Sequence, residues 1–484
     1  MNVATATPRS AFTASLSSLR RRFGARSAAE HAPRPVTSPC PRCGGALRSA
    51  ELVERDGDLH LRRNCPTHGV VEELYARDAD LFRRIREAGS RLGRYARPRD
   101  AAGSGPLELT TNIAIDLTEA CGYPCPTCFA QADDNGAREP SLDEILAGLP
   151  QTPPGHVKPN LVLIGGEPTR RKDLPEILRA LHGRGYVARV TTHGERFLDR
   201  DYLRTLVDAG MRWVILQFDG FHDDIYKTLR GKPLLAKKRR ILDALHEEGV
   251  GVHLAVMVAK GINDREVGPI LRFAVAHPAV KRVSFYPMTP VGRWAPPNPK
   301  AVAVGGTRHW EMHLADMFAR FAETTDGDVT GEDILATKRL WALLYRWTGK
   351  AVFRQRACIT PFVLVGKGDR LHPVNRFLRP LFVLTHPRLA WNLARAVPRL
   401  LRYDEGRWPS NVLFVNVEKF YSQDALDVDS ATDCHMVYFT SKGYVPFCLY
   451  NSVHRDTMGW GASAPARPSH LDAPAALGQA RLAG

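Results

Sequence analysis

No apolar run in the sequence approaches the roughly 18 residues that a membrane-spanning helix requires, so no spanning helix is expected. Acids are scarce: 51 Asp and Glu stand against 67 Lys and Arg, leaving a net charge of +16. The shortage is uneven. Residues 1–38 hold a single acid, Glu30, among several Arg, Ser and Ala, and residues 376–402 hold none. Such a balance points to an anionic partner, either nucleic acid or an anionic lipid surface, and says nothing about fold. The N-terminus lacks an apolar segment ahead of a cleavage site, so a reducing, cytoplasmic compartment is expected. The nine cysteines, an odd number in three groups of three, then fit metal sites better than disulfides.

At 484 residues and 44% apolar content, the chain can bury one large core and carry smaller additions. Composition divides it into five parts. Residues 1–38 read as a disordered basic arm, with a transit peptide as the alternative. Residues 39–90 hold a small cysteine-containing unit, in which two strand-like stretches flank the turn signal Arg55-Asp56-Gly57-Asp58, and a linking helix over 76–88. From 107 to 295, strand-like and helical runs alternate, beginning NIAIDLT, SLDEILAGL, NLVLIGGEP and LPEILRALHGRG. Six strands so spaced predict an α/β unit, a parallel sheet with helices outside it, either open and doubly wound or a partial barrel. Residues 296–455 form a mixed C-terminal extension, and 456–484, rich in Ala, Pro, Gly and Ser, are expected to be disordered.

Cys121, Cys125 and Cys128 sit in CGYPCPTCF, directly after the first of those strands. A tetrahedral zinc wants a fourth ligand, and no other Cys or His lies in the stretch. Three thiolates can instead hold three irons of a [4Fe-4S] cluster and leave the fourth open to a small ligand, which implies chemistry. The competing reading is three buried thiols in a loop, and their gathering at one strand end speaks against it. Further on, Gly165-Gly166-Glu167-Pro168 ends the second predicted strand.

Together these two motifs resemble the radical S-adenosylmethionine superfamily. The resemblance implies a partial six-stranded (β/α) barrel over 107–295, with a catalytic [4Fe-4S] cluster on Cys121, Cys125 and Cys128. It also implies S-adenosylmethionine bound at the open iron, cleaved after one-electron reduction to a 5'-deoxyadenosyl radical, and an electron donor of the ferredoxin or flavodoxin type. Sites in such barrels gather at the C-terminal ends of strands. Gly165, Gly166, Glu167 and Pro168, then His193 after the third strand and Gln217 and Asp219 after the fourth, are therefore the expected cofactor contacts. Each also reads as a strand-terminal turn residue or helix N-cap. Lys260 to Asp264, after the fifth strand, is placed to close over the adenosine.

Two further metal sites are expected. Cys40, Cys43, Cys65 and His68 form two knuckles whose spacing fits tetrahedral zinc or a rubredoxin-like iron, a closed structural site. A nucleic-acid role for this unit is disfavoured, since Glu51, Glu54, Asp56, Asp58, Glu72 and Glu73 would repel phosphate. Cys434 and Cys448 are brought together by the hairpin that Thr440-Ser441-Lys442-Gly443 signals. With Cys358 they would bind a second iron-sulfur cluster, its fourth position filled by a side chain such as His435 or by substrate; ordinary buried thiols are the alternative.

The cysteine knuckles, the stretch Gly261 to Gly268 and the segment Cys434 to Asn451 are together similar to a group that includes tetraether and membrane-spanning lipid synthases and radical pterin methylases. The similarity runs from roughly residue 38 to 452. Residues 376–402 mix Leu, Val, Phe and Trp with Arg, as a segment lying in a membrane interface would, or as a helix packed on the barrel with its arginines in water. The main expectation is hydrogen abstraction from an unactivated carbon leading to C–C coupling of lipid acyl chains, at an anionic membrane surface. Radical methylation of a pterin-like small molecule is the alternative, and a non-catalytic zinc module on nucleic acid the second alternative.

Overall fold

The computed structural model describes residues 34–42, 48–90, 110–132, 139–150, 158–294, 310–349, 353, 354, 356, 358–378, 380–385, 387, 388, 391, 394, 411–422, 424–432, 434–441 and 443–455. Cys43, the tail 456–484, most of the arm and much of the basic segment 376–402 lie outside them. The arm ends earlier than its composition suggests. Arg34–Ser38 is a strand, β1, because its backbone is taken up by β2 (Arg48–Arg55) in an antiparallel pair. β2 turns into β3 (Asp58–Cys65) through Asp56 and Gly57, both at positive φ, the backbone that a tight hairpin demands. β4 (Gly69–Ala76) completes a four-stranded antiparallel sheet. The helix Ala79–Ser90 follows and buries Phe82, Ile85 and Ala88, three residues apart along one face.

The main sheet begins with β5 (Asn112–Thr118), β6 (Asn160–Gly165), β7 (Ala188–Thr192), β8 (Trp213–Gln217), β9 (Gly251–Val258) and β10 (Val280–Pro287), each parallel to the next. Helices link them, so this is the expected α/β alternation. On β5, Ile113, Ile115 and Leu117 join helix residues such as Leu178, Leu181 and Leu245 in the main core. Ala114, Asp116 and Thr118 alternate to the inner face.

The C-terminal extension is no separate body. β11 (Ile359–Lys367) and β12 (Arg370–Pro373) are antiparallel, and β13 (Val412–Glu418) lies parallel to β10. On the opposite edge β14 (Met436–Thr440) lies parallel to β5, and β15 (Gly443–Pro446) pairs antiparallel with β14 through the expected hairpin. The result is eleven strands in the order β12-β11-β13-β10-β9-β8-β7-β6-β5-β14-β15. The six expected strands are its middle, and the extension clasps both of their edges.

Candidate active site at the carboxyl ends of the strands

The loop that carries Cys121, Cys125 and Cys128 leaves the end of β5 and is held by side chains from elsewhere. Arg293 donates from Nη1 to the Cys125 carbonyl at 2.7 Å, from Nη2 to that of Ala132 at 2.5 Å, and from its backbone amide to that of Cys128 at 2.9 Å. Lys232 Nζ donates to the Gly122 carbonyl at 3.0 Å. Gly292, at φ +61°, lies so close that a Cβ would sit 2.4 Å from Phe129 Cα. All three thiols are free and half-buried. Burial, then the proximity of Cys125 and Cys128, pushes Cys121 up to about 12 against the pull of the Tyr123 amide.

Gly165 and Gly166 lay β6 against this loop. A Cβ on either would come within 2.3 Å of a carbonyl, that of Thr118 or of Ala120, and the Gly166 and Glu167 amides donate to those same two carbonyls at 2.6 and 2.9 Å. The glycines thus serve the approach of the chain to its own cysteine loop. Glu167, expected as a cofactor contact, has its carboxylate fully engaged inside the protein. Oε1 accepts from Thr169 N, Thr169 Oγ1 and Thr192 Oγ1 at 3.0, 2.7 and 2.7 Å, and Oε2 accepts from His193 N at 2.9 Å, with His193 Nε2 at 3.2 Å. Pro168 opens the short turn that follows. The His193 ring lies flat on Tyr123, centroids 4.0 Å apart, and burial holds it below its usual range. Lys238 Nζ, fully buried and drawn down to about 7 by that burial, donates to the His193 carbonyl at 2.7 Å.

Asp219 is wholly buried and gripped by Arg230, whose Nε and Nη2 donate at 2.7 and 2.8 Å. Gln217 Nε2 donates to the same carboxylate, which leaves Gln217 Oε1 buried and without a partner among the described residues. Thr191 Oγ1 and Thr127 Oγ1 are in the same condition. Unsatisfied buried oxygens at strand ends are where the ammonium and ribose hydroxyls of S-adenosylmethionine would be received, so the donor set fits cluster and cofactor alike. Lys260 to Asp264 is tied inward instead: Asn263 Nδ2 donates to the Asp219 and Met257 carbonyls at 2.9 and 2.7 Å, and Asp264 accepts from Arg320 at 2.8 Å.

Cys358, Cys434 and Cys448 come together in one apolar cluster with Tyr421, Phe420 and Phe447. Burial, then Cys434, pushes Cys358 up to about 12; Cys448 is raised by burial and by both other thiols. Beside them His435 fixes β14 to β5, its carbonyl accepting from the Thr111 and Asn112 amides, and its Nδ1 is buried without a partner among the described residues. Phe129 of the first cysteine loop lines one tightly packed cleft with Phe420, Phe447 and Cys448, which joins that loop to this group. The inner face of the sheet mixes buried polar side chains, Arg189, His253, Arg282, Ser284 and Asn416, with apolar ones such as Val162, Ile164 and Ile215.

In the N-terminal sheet, His68 Nδ1 lies 3.7 Å from Cys40 Sγ and 3.6 Å from Cys65 Sγ, close to the ~3.6 Å that a tetrahedral zinc imposes between sulfur and nitrogen ligands. The His68 amide draws the Cys65 thiol down to about 6, toward the thiolate that a metal takes. Cys40→Ser is expected to take bound zinc from about one per chain to none and to leave iron unchanged, read by metal analysis. Full zinc retention would rule Cys40 out as a ligand.

Arg230, Arg293, Lys238 and Arg455 hold the site together, yet no sequence pattern pointed to them. Each acts across a distance in the chain, as Arg293 does on Cys125, and no spacing rule reaches that far. In the basic segment, Arg376 is bound to Asp333 at 2.6 Å, while Leu384 and Trp391 are 76% and 65% exposed. No helix among the described residues is long and apolar enough to cross a membrane.

Comparison with known proteins agrees with this geometry. Residues 115–274 match the Radical SAM superfamily, and residues 32–77 match the HMPTM N-terminal zinc ribbon domain. The 7,8-dihydro-6-hydroxymethylpterin dimethyltransferase of Methanocaldococcus jannaschii is 26% identical over 88% of this chain and 95% of its own length. Fe-coproporphyrin III synthase of Methanosarcina barkeri is 28% identical over 41% of this chain and 50% of its own, and a probable GTP 3',8-cyclase of Pyrococcus abyssi 31% identical over 34% and 53%. The chain thus spans about half the length of these last two. Among solved structures, native anSMEcpe with bound AdoMet and Cp18Cys peptide is similar over 50% of this chain and 67% of its own, with a TM-score of 0.37 at 17% identity. A radical SAM domain brings with it a [4Fe-4S] cluster, S-adenosylmethionine and the need for an electron donor, and a zinc ribbon brings zinc. With its strand-end cysteine loop inside the matched residues 115–274, the chain is a radical SAM enzyme.

Proposed function

We propose that the protein is a radical SAM methyltransferase acting on a pterin-like small molecule. The observation that carries this reading is the similarity to the pterin dimethyltransferase along 88% of the chain, ribbon included. Coupling of lipid tails, the main expectation from sequence, has no support in the comparisons. It rested on the resemblance to a group that includes lipid synthases and on the basic segment, where Arg376 is taken by an internal ion pair.

In this reading Cys121, Cys125 and Cys128 hold the cluster, and Gln217, with the ends of β6 and β7, receives S-adenosylmethionine. When bound, the two supply a 5'-deoxyadenosyl radical, which removes hydrogen from a carbon that no acid or base can ionise. The protein contributes position and dryness: Glu167, Arg230 and Lys238 fix the strand ends, and Phe129, Phe420 and Phe447 exclude water. Cys358, Cys434 and Cys448 hold a second cluster beside the substrate, and a ferredoxin- or flavodoxin-type protein supplies electrons.

The test is anaerobic turnover with reductant, S-adenosylmethionine and either 7,8-dihydro-6-hydroxymethylpterin or phospholipid vesicles. The pterin is expected to stimulate 5'-deoxyadenosine formation and to gain methyl groups by mass, while the vesicles do neither. Stimulation by phospholipid alone would overturn the reading.

A further inference from the structure

Across three neighbouring strands a chain of hydrogen bonds converges on one carboxylate oxygen. His253 Nε2 on β9 lies 2.8 Å from Ser284 Oγ on β10, and Ser284 Oγ donates to Glu418 Oε1, at the end of β13, at 2.9 Å. Asn416 Nδ2 donates to that same Oε1 at 3.0 Å. Because the serine proton goes to Glu418, the Ser284 oxygen must accept from His253, which makes Nε2 the protonated nitrogen. His253 Nδ1 is then an acceptor, buried and without a partner among the described residues. Everything is aimed at Oε1. Glu418 makes no ion pair among the described residues, and burial raises its carboxyl above the ordinary range.

Placement makes this more than a structural tie. Glu418 is the last residue of β13, which runs parallel to β10, so it stands at the carboxyl ends of the strands with the cysteine loop. Tyr286, the penultimate residue of β10, stacks on Phe420 at 5.3 Å, and Phe420 stacks on Phe447 at 5.1 Å. Phe129, next to Cys128, approaches both phenylalanines at 6.3 and 5.9 Å. Glu418 is thus half-buried and pinned through one oxygen, two residues before the stacked Phe420, where a flat ring could meet it by an edge.

We propose that Glu418 recognises the 2-amino-4-oxo edge of the pterin-like substrate, with Asn416, Ser284 and His253 as positioning residues. This rests on the functional reading given above. The edge presents a ring N–H and an exocyclic amino group side by side, and with Oε1 taken by Ser284 and Asn416 the amino group would donate to Oε2. A lumazine has a carbonyl where the pterin has that amino group, and would turn a lone pair toward Glu418.

The test is equilibrium binding of 6-hydroxymethylpterin and 6-hydroxymethyllumazine to the anaerobically purified holoprotein, followed by fluorescence. Wild type is expected to bind the pterin about 10- to 100-fold more tightly than the lumazine. Glu418→Gln should lose most of that preference, because its amide can donate to the lumazine carbonyl, while keeping its iron content. Ser284→Ala, a milder change that frees the carboxylate to rotate, should narrow the preference severalfold, and it decides the matter should Glu418→Gln fail to fold. If wild type prefers the pterin and both variants keep its pterin-to-lumazine ratio, or if Glu418→Gln loses iron at an unchanged ratio, the assignment of Glu418 is wrong and the pterin reading survives. Binding of neither ring by wild type would sink both.

Discussion

A chain carrying Cys121→Ala, Cys125→Ala and Cys128→Ala is expected to lose about four irons per molecule, and with them all formation of 5'-deoxyadenosine, while keeping its zinc. The argument is geometric. The three cysteines share one loop at the carboxyl ends of the strands, Arg293 and Lys232 hold that loop through its backbone carbonyls, and buried oxygens of Thr127 and Gln217 lack partners among the described residues. The matching replacement at Cys358, Cys434 and Cys448 separates the two groups: it should remove the other iron yet leave cleavage of S-adenosylmethionine measurable without product. Iron counting, electron paramagnetic resonance and a deoxyadenosine assay on both variants decide the question. Unchanged iron in the first, or zinc in its place, would falsify the assignment of that loop.

The second large effect concerns stability. Arg455 and Asp116 form an ion pair at 2.9 Å with both side chains only 6% exposed. Arg455 also donates to Asn451 Oδ1 at 2.7 Å and stands 4.7 Å from the Tyr450 ring centroid, and Tyr450 donates its hydroxyl to Asp116 at 3.0 Å. This knot fastens the last described turn of the chain to the first strand of the barrel, behind Phe129 and the cysteine loop. Arg455→Met leaves Asp116 buried and uncompensated, which should cost about 3–5 kcal/mol. Asp116→Asn combined with Arg455→Met should recover a large part, since the stranded charge is gone. Chemical denaturation of the three proteins measures both, and a loss below about 1 kcal/mol in the single variant would mean that solvent reaches the pair.

What could be read from the sequence divides by range. The six parallel strands are legible because each is a short apolar run bounded by turn residues and followed by a helix of 3.6-residue period. The β2–β3 turn and the β14–β15 hairpin were legible because their signals, Asp56-Gly57 and Gly443, are local. The helix expected over 76–88 is shifted to Ala79–Ser90, since Tyr75 and Ala76 are drawn into β4. β13 and β14 escaped notice as barrel strands. VLFVNVE and MVYFT look like any apolar strand, and nothing in them says that their partners are β10 and β5. The cysteines were legible as groups, their chemistry being carried by residue type. Their supports were not, because Arg230, Arg293 and Arg455 earn their roles only after folding.

The clasp of both sheet edges by the end of the chain has a consequence for how the protein is made. Asn112 of β5 pairs with Met436 of β14, so an edge formed early waits roughly 320 residues for its neighbour, the kind of separation that slows folding. As the chain leaves the ribosome, the barrel stands with β5 unpaired on one side and β10 on the other until the last segment arrives. Bare strand edges are templates for another chain, so a nascent or truncated form should be the one that needs a chaperone. Arg455 and Phe447 reach Phe129, next to Cys128, only once that last segment has docked, so the cysteine loop too is completed last.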